Sequence, residues 1–172
     1  MNKHFFTYRQ PVKLENGQTL TTVDVVYHTW GKPNADKSNV VWFCHALTAN
    51  ADVSDWWESL VGDGKAYDPA KHFIICANII GSCYGSSGPL SINAQTQKTY
   101  YSSFPQITIR DMVQVHNILR KHLGIEKINT IIGGSMGGYQ VIEWALTEPA
   151  VFDNMILVAT SPQESACGIA IH

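Results

Sequence analysis

Short apolar-rich runs recur along the chain at Val40-Val41-Trp42-Phe43-Cys44, Phe73-Ile74-Ile75-Cys76-Ala77, Ile128 to Ile132 and Met155 to Ala159. Runs of this length, with little polar alternation, suit strands covered on both faces. Ahead of them, Val12 to Leu14 and Val23 to Thr29 have extended character, and Asn16-Gly17 lies between. That arrangement predicts an opening β-hairpin joining those two segments. Between the later runs the pattern changes to helical spacing. Met112, Val115, Leu119 and Leu123 recur on one face, Thr108 and Asp111 form a capping-box signature, and Gly124 is placed to stop the helix. A second helix is expected from Gly137 to about Thr147, with Val141, Ile142, Ala145 and Leu146 on its apolar face and Pro149 just past its end.

Strand, helix, strand, helix, strand implies an α/β fold with a mostly parallel sheet and flanking helices. No repeat, low-complexity stretch or linker interrupts it, so residues 1–172 are read as a single domain. In open sheets of this type ligands sit at the carboxyl ends of the strands. Chemistry is therefore sought in the loops after Cys44, Ala77, Ile132 and Ala159.

The strongest chemical signal is Gly133-Gly134-Ser135-Met136-Gly137, which matches G-x-S-x-G between a predicted strand and a predicted helix. A turn this tight demands nearly side-chainless neighbours, hence Gly133 and Gly137, with Gly134 also in the turn. Gly138 extends the small surface and lets the helix approach the sheet. The turn would expose the Ser135 hydroxyl and aim the Met136 N–H at a developing oxyanion. His45-Ala46-Leu47-Thr48 follows the first apolar run, where a second oxyanion donor is expected, and the backbone N–H of Leu47 is the candidate. His45 reads as a brace for that loop; a general base should follow the serine in chain order.

Gly81-Ser82-Cys83-Tyr84-Gly85-Ser86-Ser87-Gly88 lacks the ending of a phosphate loop and is read as a flexible loop at the mouth of the site. Asp55-Trp56-Trp57 and Trp30-Gly31 are read as core or rim packing. His116 is placed at the core edge, and Asp111 is the capping partner of Thr108.

Composition adds exclusions. Of 172 residues, 45% are hydrophobic and 15% charged, and the net charge of −2 gives no reason to expect nucleic acid or an anionic membrane as partner. No apolar run approaches the roughly 20 residues needed to span a bilayer. Met1 to Gln10 lacks the apolar stretch of a signal peptide, so a soluble, cytoplasmic protein is expected. Cys44, Cys76, Cys83 and Cys167 form no Cys-x-x-Cys pair and no His cluster has metal spacing; free thiols and no metal are expected.

From about Leu14 to Ala170 the sequence resembles the homoserine O-acetyltransferases, a family with the α/β-hydrolase fold. The resemblance rests on His45-Ala46-Leu47-Thr48, Asp55-Trp56-Trp57, Leu60-Val61-Gly62, Asn78-Ile79-Ile80 running through Gly81–Pro89, Phe104-Pro105, Thr108 to Val113, and Gly133 to Gly138. It implies a ping-pong reaction. Ser135 takes the acetyl group from acetyl-CoA, a co-substrate in place of any tightly bound cofactor, and L-homoserine then accepts it. Met136 and Leu47 would hold the oxyanion, at the bottom of a narrow tunnel.

Two departures stand out: Ala49-Asn50 after Thr48, where many relatives have Gly, and Ser161 to Cys167, which relatives write differently. Family members also continue well beyond His172. The resemblance implies that the lid, the last strands and the triad Asp and His lie outside this chain. After Ser135 the sole Asp is Asp153, expected at the amino end of the sheet, and the sole His is His172 at the terminus. Alternatives on the same scaffold are a homoserine O-succinyltransferase, a serine esterase, or a non-catalytic subunit needing a complementary C-terminal chain. A homodimer is suggested by the family alone.

Overall fold

The computed structural model describes residues 1–163 and 165–171. The elements run β1 (Asn2–Tyr8), β2 (Val12–Lys13), β3 (Thr19–Leu20), β4 (Val23–Trp30), β5 (Val40–Cys44), α1 (Val53–Trp56), β6 (Phe73–Ala77), α2 (Ile109–His122), β7 (Ile128–Gly134), α3 (Met136–Thr147), β8 (Phe152–Val158) and α4 (Ala166–Ile171). Among the described residues β1, β4, β6, β5, β7 and β8 form one sheet in that spatial order. β6, β5, β7 and β8 are mutually parallel, while β4 and β1 extend the sheet antiparallel.

Three of the four apolar runs predicted as doubly covered strands, those of β5, β6 and β7, behave as such; the fourth, Met155 to Ala159, does not. All five residues of β5 have no exposed surface. On one face Trp42, Ile75 and Ile131 meet Val115 and Leu119 of α2 and Val141 and Trp144 of α3. On the other, Val41, Phe43, Ile74, Cys76 and Ile132 meet Trp30, Val53 and Val61, with Trp56, Trp57 and Tyr67 sealing the edge. Cys44 and Cys76 are buried free thiols, and Cys83 and Cys167 are exposed ones.

The capping box forms as read. The Asp111 carboxylate accepts from the Thr108 N–H at 3.0 Å, and the Asp111 N–H donates back to Thr108 Oγ1 at 3.3 Å. Its other oxygen accepts from the Glu15 N–H at 2.9 Å, so this buried carboxylate also ties down the turn between β2 and β3.

Besides the cover of that last run, four expectations need correction. The Asn16-Gly17 turn is real, but the Leu14 and Gln18 groups that close it set Val12 opposite Leu20, so the hairpin partner of β2 is β3. β4 pairs instead with β1, in a register running from Asn2 with Thr29 to Tyr8 with Val23. The last strand begins three residues earlier than its aliphatic core, at Phe152, because Ile128 of β7 draws Phe152 into register. It also ends before Ala159, whose φ of 47° leaves the extended region. His116 lies wholly inside the core, edge-on to Trp42 and stacked on Trp144.

β8 is unlike its parallel neighbours. Met155, Ile156, Leu157 and Val158 are 40–48% exposed, so both faces of the strand are bare and its outer edge carries no neighbour among the described residues. Parallel strands are ordinarily covered on both faces.

Two stability predictions follow from these contacts. Asp111→Ala removes the cap and strands the Glu15 and Thr108 N–H groups, and should lower unfolding free energy by about 2–3 kcal/mol in urea titrations. Burial pushes the His116 imidazole down to about 4. Its native ring then stays neutral while the unfolded ring takes a proton near pH 6.5. The stability involved is complete above pH 6.5 and is lost as pH falls toward 4, amounting to about 3 kcal/mol. Melting temperature should therefore fall less steeply over that range in His116→Phe than in the parent.

Candidate active site

β7 delivers Ser135 and β5 delivers the loop His45–Asn50, side by side. The two strands pair in parallel, with Cys44 opposite Gly133, so both chains leave the sheet at the same end. Ser135 sits at the junction of β7 and α3 with φ 51° and ψ −124°. That left-handed backbone is strained for a residue with a side chain and is held because its surroundings over-determine it. The Ser135 N–H donates to the Val158 carbonyl at 3.0 Å, and the Ser135 carbonyl accepts from the Gly138 N–H at 2.8 Å. The side chain is left exposed at the head of the turn.

The glycines divide by role. A Cβ on Gly133 would strike the Gly137 carbonyl, and one on Gly137 would strike the carbonyl of Cys44. One on Gly138 would run into the Thr160 side chain, in the segment after β8, so this glycine admits a loop, and the close approach of helix to sheet expected of it falls to Gly133 and Gly137. At Gly134 the nearest atoms are those of Trp57 at 3.6 Å, an ordinary contact, so sterics alone do not require glycine there.

Met136 is the first residue of α3, and its N–H has no acceptor within the helix. The Leu47 N–H likewise donates to no protein acceptor among the described residues. Met136 and Leu47 line the same cavity of about 470 Å³, together with Ile80, Phe104, Ile107 and Met112. Two unpaired N–H donors and an exposed serine on adjoining turns are the parts an acyl-transfer site needs to stabilise a tetrahedral oxyanion.

His45 is a brace by geometry. Its ring is fully buried, with Nδ1 2.8 Å from the Ala46 carbonyl and Nε2 accepting from the Ile79 N–H at 3.2 Å. Both nitrogens are thereby engaged, and burial lowers its pKa, which keeps the ring neutral. The 81–88 loop is less free than the sequence suggested. Ser86 Oγ accepts from the Val26 N–H at 3.0 Å and donates to the Asn78 carbonyl at 2.7 Å. Ser87 Oγ accepts from the Asp24 N–H at 2.8 Å. These hydroxyls stitch the loop to β4.

Asp153 stays away from the site. It lies at the start of β8 with its carboxylate 3.6 Å from Lys127 Nζ, at the opposite end of the sheet from Val158. His172 lies outside the described residues. Sequence reasoning gave Asn78 no role and did not single out Gln140. Asn78 accepts from the Ala51 N–H at 2.7 Å and donates to the Tyr84 carbonyl at 3.1 Å, joining the loops after β5 and β6. The available signal was a single polar residue directly after an apolar run. Among the described residues no group of three or more His, Cys, Asp or Glu side chains could hold a metal ion, and no helix is long and apolar enough to cross a membrane.

A family model described as the alpha/beta hydrolase fold matches residues 39–167. Among curated proteins, the homoserine O-acetyltransferase of Nostoc punctiforme is 47% identical over 97% of this chain and 47% of its own length. That of Trichormus variabilis is 52% identical over 94% of this chain and 45% of its own. Among solved structures, homoserine O-acetyltransferase from Bacillus anthracis superposes with a TM-score of 0.87 at 31% identity, over 96% of this chain and 48% of that one. Esterase E22 superposes at 0.88 and 32%, over 98% and 50%. The chain thus spans about half the length of the curated relatives it matches. With the elbow, the parallel sheet and the family match in agreement, the chain belongs to the α/β-hydrolase-fold family, as a homologue of that family's homoserine O-acetyltransferases.

Proposed function

We propose that this chain carries the nucleophile and oxyanion hole of a homoserine O-acetyltransferase, working in cytoplasmic methionine biosynthesis. The observation that carries the reading is Ser135, held at φ 51° on a strand-to-helix turn beside the unpaired Met136 N–H. Ser135 Oγ attacks the thioester carbonyl of acetyl-CoA, its proton passing to a base. The tetrahedral oxyanion rests on the N–H groups of Met136 and Leu47, and coenzyme A leaves as the thiol. The hydroxyl of L-homoserine then attacks the acetyl-serine ester, gives up its proton to the base, and departs as O-acetylhomoserine while Ser135 regains its hydrogen. No Asp or His among the described residues orients Ser135 Oγ, so base and orienting carboxylate come from outside them.

The bare β8 is where we place the completing segment, whether further along the same polypeptide or on a separate chain. A non-catalytic subunit would use the same face.

The likeness to esterase E22 favours a second reading, hydrolysis of small esters on the same scaffold. Intact mass after acetyl-CoA, in the protein with its completing segment, tests the first. An acetyl adduct that is absent in Ser135→Ala and discharged by L-homoserine supports transfer. An adduct discharged equally fast by water supports the esterase; no adduct from acetyl-CoA overturns transfer, and no adduct from a small acetyl ester either overturns both. A competing succinyl thioester tests the donor, with acetyl expected to acylate Ser135 faster. Removing one oxyanion donor ordinarily costs about 10²–10³ in kcat. Gly137→Ala, which drives a methyl into the Cys44 carbonyl and so displaces one donor from the other, should lose at least that much transfer activity.

A further inference from the structure

The elbow helix and the oxyanion loop are joined by one buried side-chain amide. Gln140, fully buried one turn into α3, donates from Nε2 to the His45 carbonyl at 3.2 Å and to the Met136 carbonyl at 3.4 Å. Its Oε1 lies 2.9 Å from His116 Nε2. Carbonyls can only accept, so they fix which end of the amide is nitrogen. His116 must then donate from Nε2, which leaves its Nδ1 without a partner. Trp144 stacks on the His116 ring at 5.7 Å, and Trp42 meets it edge-on at 5.9 Å, so the ring cannot swing away from Gln140.

The far side is equally closed. The His45 ring is held between the Ala46 carbonyl and the Ile79 N–H, and its backbone carbonyl is taken by Gln140. A Cβ on Gly137 would meet both the Cys44 and the His45 carbonyls.

A buried polar network of this kind adds little net stability over an apolar side chain of the same shape, since each hydrogen bond replaces one to water. What it supplies is geometry. We propose that Gln140 is a positioning residue for the oxyanion hole: locked by His116, it fixes the His45 carbonyl against the first turn of α3 and so sets the separation of the Met136 and Leu47 N–H donors. The role in catalysis rests on the acyl-transfer reading above; the brace itself does not.

Gln140→Met keeps the volume and removes every hydrogen bond, and His116→Phe keeps the ring packing and removes the lock. The first readout is amide hydrogen exchange by NMR at Ile79 and Ala49, whose N–H groups are bound to His45 and Ala46 in the oxyanion loop. Both should exchange about fivefold faster in Gln140→Met, the worth of one net hydrogen bond. A change of about twofold in the same direction is expected in His116→Phe. Each change should exceed that at Leu119 and Ile131 in the core. The second readout is steady-state transfer by the protein with its completing segment, where kcat should fall about tenfold in Gln140→Met with KM unchanged. Loop exchange no faster than core exchange in both variants overturns the brace. Faster loop exchange with kcat intact, or a rise in KM alone, overturns the positioning role. If the parent transfers no acyl group, that counts against the acyl-transfer reading, and exchange alone decides the brace.

Discussion

The carbonyl of Cys44 occupies the space that a side chain at residue 137 would need. That contact brings the end of β5 against the first turn of α3, and the rest of the site depends on it. The parallel pairing of β5 with β7 brings the two strand ends level, with Cys44 beside Gly133. The absence of a Cβ at residue 137 then lets the two loops that leave them meet. Leu47 lies three residues beyond one strand end and Met136 two residues beyond the other, so the two residues come to line one cavity. A single methyl at the crossing would separate them, however well the remainder folded.

Behind this crossing the molecule uses small polar groups where a sheet of this kind would ordinarily use apolar ones. Asn78, Ser86 and Ser87 tie the loop after β6 to β4 and to the segment beyond the oxyanion loop. Gln140 and His116 do the same from the helix side. Trp42 and Trp144 flank His116, so the bonds on the helix side are made in a poorly screened setting where a missing partner is costly. The loops that carry chemistry are therefore as closely specified as the strands that carry them.

Sequence patterning revealed what is local. Val40–Cys44 and Phe73–Ala77 show their burial by their composition, Thr108 and Asp111 show a helix start by their spacing, and the glycines around Ser135 show a turn by their lack of side chains. What it did not reveal is pairing at a distance. Asn2–Tyr8 mixes charge with aromatics because one side of that edge strand faces solvent, and nothing in its own residues names Val23–Trp30 as its partner. The Asn16-Gly17 turn pointed to the wrong strand, because a tight turn binds the residues nearest to it. Gln140 escaped notice for a related reason: a glutamine on a helix is ordinarily a surface residue, and its burial is decided by His116 and His45, 24 and 95 positions away.

The backbone of Ser135 sets two selective pressures at one codon. With φ at 51°, the position favours a residue without a Cβ, and glycine there would relieve strain that the fold otherwise carries. Serine persists at such a site only while its hydroxyl is worth more to the organism than the stability it forfeits. In a lineage relieved of the chemistry, residue 135 is where drift would move first, toward glycine, leaving a firmer protein with an intact sheet and no nucleophile.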